Sequence, residues 1–108
     1  MTNLEWLKKK AKKYDLVAEY LTEDTLKVYS PKYVFDSWLI TETETDMELW
    51  HMSKKNNLKK CSYHIHAVVP KSNKIRVLQK IKTHNEYVAF HKKFNRINLV
   101  DRVLKGTI

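Results

Sequence analysis

Five histidines stand in this chain of 108 residues, and two of them, His64 and His66, are separated by a single isoleucine. Residues two apart on a β-strand project from the same face, so these two imidazoles could hold one metal ion. His51, on a neighbouring strand, or Cys61 could supply a third ligand. Lys59 and Lys60 precede Cys61 and would lower its thiol pKa. No oxyanion-hole sequence accompanies it, so its expected role is a small residue at a strand start. Four carboxylates, Glu42, Glu44, Asp46 and Glu48, surround one hairpin tip, where solvated carboxylates are expected. Gly106 is the only glycine, which excludes glycine-rich phosphate loops.

Charge carries a broader signal. The net charge is +9 and it is segregated: +4 over residues 1–14, −7 over 15–50 and +12 over 51–108. Lys54, Lys55, Lys59, Lys60, Lys71, Lys74, Arg76, Lys80, Lys92, Lys93 and Arg96 all lie in the last part and form the expected nucleic-acid-binding set. Phosphate contacts need positive charge and reach, which lysine supplies. Reading bases favours planar arginine, and the chain has three Arg in all, so low sequence specificity is expected. Tyr63, Tyr87, Phe90 and Phe94 are interleaved with these cations, but their spacing fits a helix and strand core better than a stacking platform.

The elements that must position these residues read as one α+β domain over 1–108. A capping box at Thr2 and Glu5 opens a helix over 3–14, with Leu4, Leu7, Ala11 and Tyr14 on its apolar face. Residues 16–30 alternate as a hairpin around a four-residue TEDT turn. Pro31 interrupts the ladder, and 33–42 follows as a long central strand. Residues 43–46 turn the chain into a strand over 47–52, and 53–60 is a basic loop. Over 61–69, Tyr63, Ile65, Ala67 and Val69 form an apolar face, which puts His64 and His66 on the other.

Ser72 is placed to cap a helix carrying Ile75, Val77, Leu78 and Ile81, although 74–82 could also be a strand. Thr83 and Glu86 have a second capping-box spacing, and Asn98 could cap a last helix that stops at Gly106. The expected architecture is therefore an N-terminal helix, an antiparallel meander of about five strands, and two or three short C-terminal helices packed on one face.

One cysteine excludes an internal disulfide, there is no long apolar run, and the N-terminus lacks a signal-peptide pattern. A cytoplasmic protein with no membrane span is expected. Rich in Lys and Asn and poor in Gly, the composition resembles that of short reading frames in low-GC bacteria, their phages and mobile elements.

The segment YHIHAVV is similar to the metal-binding strand of endonucleases that pair a His-hydrophobe-His strand with a catalytic tyrosine on a later helix, such as relaxases and rolling-circle replication initiators. That resemblance implies metal binding by His64 and His66 and attack on a phosphodiester by Tyr87, with Lys92 and Lys93 following. It covers seven residues, and the family's N-terminal strand motif is not recognisable. The residues themselves favour a small, basic, non-enzymatic nucleic-acid-binding protein of accessory or regulatory type, with no cofactor. The alternative is an interaction module, an inhibitor or adaptor, that meets an acidic protein surface.

Overall fold

Thr2 starts the first helix, its hydroxyl accepting from the Glu5 N–H at 3.1 Å. In the computed structural model this helix, α1, spans Asn3–Lys10 and tightens into a 3-10 turn at Ala11–Tyr14. The structure describes residues 1–32, 37–53 and 62–106, with side chains described as far as Phe90 apart from Ser53 and Ser62. Asp15 ends the turn in the left-handed region, at φ 57°. Its N–H reaches the Lys12 carbonyl at 3.1 Å, and Leu16 N–H reaches the Ala11 carbonyl at 3.0 Å, so the helix's last acceptors are used.

Five strands follow in the order of the chain. β1 (Val17–Thr22), β2 (Thr25–Tyr29), β3 (Ser37–Glu42), β4 (Asp46–Ser53) and β5 (Ser62–Pro70) form one antiparallel meander with β3 at its centre. The first hairpin is tighter than its sequence suggests. Thr22 pairs with Thr25, leaving Glu23 and Asp24 as the turn, and the ladder shifts between Tyr20 and Thr22 to accommodate it. Residues 33–36 of the expected long strand lie outside the described residues.

One face of the sheet is covered. Leu4, Leu7 and Ala11 meet Leu26, Val28, Trp38, Ile40, Met47, Leu49 and Val69, and the layer closes with Val77, Leu78 and Ile81 from α2 (Ile75–Gly106). On the other face Trp50 donates its indole N–H to Thr41 at 2.9 Å, and Ser37 shares a 2.8 Å hydrogen bond with Tyr63.

α2 corrects the expectation of two or three short helices. After a 3-10 turn at Lys71–Asn73, it runs for 32 residues as one element. No Pro or Gly occurs between Lys71 and Lys105, so nothing in the covalent chain stops it. Thr83, Glu86 and Asn98 have capping residue types, but they continue the helix instead of starting new ones. Gly106 ends it, as its position suggests. The strand alternative for 74–82 is excluded from Ile75 onward. Asn85, buried on the helix, faces a small cavity of about 90 Å³ shared with Tyr14, Ser30 and Lys82.

Trp38 is the largest fully buried side chain. Trp38→Ala removes it from the central strand and is expected to cost about 3–5 kcal/mol. Urea denaturation followed by circular dichroism measures this, and a loss below about 1 kcal/mol would contradict the packing described.

Candidate functional site

A β-bulge builds the site. β4 and β5 pair Leu49 with Ala67 and Trp50 with Ile65, so His66 is an extra residue with no partner across the ladder. Strand alternation is therefore reset at that point. Val69 and Ala67 face the core, as expected. Beyond the bulge, Ile65 points to the open face and is 47% exposed, while Tyr63 bonds to Ser37 there. The expected apolar face is thus split, and His64 and His66 turn to the helix side.

Trp38 is the floor on which the histidines gather. His51, its partner across β3 and β4, stacks on the indole with ring centroids 4.0 Å apart. His66 from β5 and His84 from α2 each meet the indole edge-on at 5.1 Å. His66 and His84 lie 5.1 Å apart, His51 and His84 4.9 Å, and His51 and His64 5.9 Å. Helical spacing explains His84: it follows Val77 and Ile81 on the edge of the buried stripe.

Beside this cluster lies a cavity of about 450 Å³ lined by His66, Arg76, Gln79, Lys80, Thr83, His84 and Tyr87. At 3.6 residues per turn, Arg76, Lys80, Thr83 and Tyr87 fall within about 60° of one another around α2. None of the lining residues is acidic. Burial pushes the His66 imidazole below the ordinary histidine pKa, and the charges of His84, Lys80 and His64 push in the same direction. The site therefore sets the cations Arg76 and Lys80 beside two imidazoles.

The other sequence-predicted cations have different placements. Lys71 pairs with Glu42 at 3.4 Å, at the far end of β5. Lys74 donates to Asn3 Oδ1 at 3.1 Å and sits 4.5 Å from the Trp6 ring, tying α2 to α1. Lys54, Lys55, Lys59, Lys60 and Cys61 lie outside the described residues. Lys92, Lys93 and Arg96 are on α2, with side chains outside the description. Sequence reasoning missed Gln79, Thr83 and His84 as site residues. The last two were hidden inside an apparent capping box, although the helical period beyond Ile81 could have placed them.

Of the His-x-His nuclease pattern, His66 and Tyr87 do line one cavity. Among the described residues no group of three or more His, Cys, Asp or Glu is arranged to hold a metal ion, and Cys61, the other candidate ligand, lies outside them. The rings instead pack against Trp38 and one another. The hairpin-tip carboxylates make local bonds. Glu42 pairs with Lys71, Glu48 accepts from Thr41 at 3.4 Å, and Asp46 accepts from Thr45 at 3.0 Å. Among the described residues no helix is long and apolar enough to cross a membrane. No family model, curated protein or solved structure matches the chain.

His66 is expected to titrate below the ordinary value of about 6.5. Its folded-state pKa is depressed, so the unfolded chain takes up this proton first. The associated stability is complete above about pH 6.5 and is lost as pH falls through the folded value. Lys80→Gln removes one contributing charge and should raise the His66 midpoint part of the way, because burial remains the larger cause. Proton NMR of the imidazole measures both midpoints, and one that moves down in Lys80→Gln contradicts the assignment.

Proposed function

We propose that the protein is a small, non-enzymatic nucleic-acid-binding protein that holds phosphate groups with little regard for base sequence. The observation that carries this reading is the cavity between β5 and α2, lined by Arg76, Lys80, His66 and His84 and, among the described residues, by no carboxylate. The charge of +12 over residues 51–108 supports it by drawing polyanions toward this half of the chain. Only three arginines are present, and bidentate base recognition depends on arginine more than lysine. Phosphate contacts of this kind position a strand without reading it.

Gel-shift titration with DNA and RNA across 50–200 mM salt tests the proposal. Affinity should fall steeply, with log K decreasing by roughly 0.7–0.9 for each phosphate neutralised per unit of log salt. Arg76→Gln with Lys80→Gln should weaken binding uniformly across sequences and flatten that slope by about two contacts. Lys71→Gln should change little, because Glu42 already engages that ammonium. Absence of binding to both polymers at low salt defeats the proposal. So does a single protein partner, captured after nuclease treatment, whose binding depends on the same cavity residues.

A further inference from the structure

We propose that the cavity between β5 and α2 is a seat for a phosphate monoester, the terminal phosphate of a nucleic-acid strand or of a free mononucleotide. This rests on the nucleic-acid reading and goes further, because it distinguishes a phosphorylated end from the phosphodiesters along a backbone.

The argument starts from donors and charge. An internal phosphodiester offers two non-bridging oxygens and one negative charge. A monoester offers three strong acceptor oxygens and a charge of about −1.5 to −2 at pH 7. The cavity matches the second group. Arg76 brings a planar fork of N–H donors and Lys80 an ammonium, with Gln79 and Thr83 beside them on the same wall. Exposed His66 and half-buried His84 line the same cavity, 5.1 Å apart by ring centroid. Among the described residues no acidic side chain lines the cavity to balance the two cations. A dianion would balance both, and the lining's many donors exceed what two oxygens can use. A volume of about 450 Å³ leaves room for the nucleoside that carries the phosphate.

The histidines make the seat proton-linked. Among the described residues, His64 on its own strand, His51 on β4, and Arg76, Lys80, His84 and Tyr87 on α2 stand around His66 or line its cavity, and none of them is acidic. With the cavity empty, each cation disfavours another proton. A bound dianion reverses the sign of the local field, so the His66 imidazole is drawn toward its protonated form as the phosphate enters. Two limbs of pH dependence follow. Below about pH 6 the monoester loses its second charge. On the alkaline side the His66 imidazole, held below the ordinary histidine value, gives up its proton.

The experiment uses the full chain and fluorescein-labelled 12-mers of one sequence, in DNA and RNA. They carry a 5′-phosphate, a 3′-phosphate or hydroxyls only, with the label on the opposite end. Anisotropy is read from pH 5 to 8, with AMP and adenosine as unlabelled competitors. A phosphorylated end should bind on the order of tenfold tighter than the hydroxyl end, as charge-assisted hydrogen bonds to an added charge require. That advantage should pass through a maximum within this range and shrink on both sides. Arg76→Gln and Lys80→Gln should abolish it, while His66→Gln should flatten the alkaline limb. Arg76 is exposed, so its loss leaves the core intact. AMP competing where adenosine does not also supports the seat; AMP acting only at far higher concentration than the phosphorylated strand assigns it to strand ends. Equal affinity for phosphorylated and hydroxyl ends, with salt-sensitive binding retained, overturns this inference alone. Failure of every oligonucleotide to bind, with AMP failing to shift the His66 resonance, overturns it together with the nucleic-acid reading.

Discussion

The extra residue at His66 is the constraint on which the site depends. A regular ladder between β4 and β5 would keep strict alternation from Val69 back to Tyr63. His64 and His66 would then face away from α2, and Ile65 would lie against Trp38. One inserted position exchanges these faces beyond Ala67. The exchange exposes an isoleucine and brings imidazoles to the indole of Trp38. An apolar residue here would have extended the core by one more side chain. Bulges are common at sheet edges where a side chain must be re-aimed, and β5 is an edge strand with α2 beside it.

Continuity of α2 is the second requirement. Arg76, Lys80, Thr83 and Tyr87 share one wall only if the helix passes through 83–86 without a break. A helix ending near Lys82, followed by a new one capped at Thr83, would turn the later residues away from the earlier cations. Val77, Leu78 and Ile81 anchor the same helix to the sheet through an adjacent stripe. The register of that anchor sets the direction of the basic wall. His84 lies between the two stripes, which explains how one ring touches the buried indole and also lines the open cavity.

Much of the frame was legible in the sequence because it rests on local rules. The Thr2 cap, the apolar face of α1, the meander and the core face of α2 each follow from spacing within about ten residues. The site depends on what local rules do not contain. Alternation predicts side-chain direction only until a bulge resets it, and residues 61–69 carry no glycine or proline to announce one. Capping residues have the same side chains whether or not they cap. Thr83 and Glu86 fit a helix start, but the preceding turn was already helical and bound to the sheet, and extending an existing helix costs less than nucleating another. The basic set was identified by composition alone, which explains its uneven result. Lys71 and Lys74 have partners on Glu42, Asn3 and Trp6, whereas Arg76 and Lys80 line the cavity.

The histidines sit in a packed setting that their His-x-His spacing does not reveal. Here the rings are held by stacking and edge contacts around a buried indole, which fixes their planes by packing. Packed this way next to two fixed cations, imidazoles respond to the field at the cavity mouth. The His66 imidazole is held below the ordinary histidine value first by burial and then by the neighbouring charges of His84, Lys80 and His64. A surface patch of lysines alone would lack a group that reports the local field in this way.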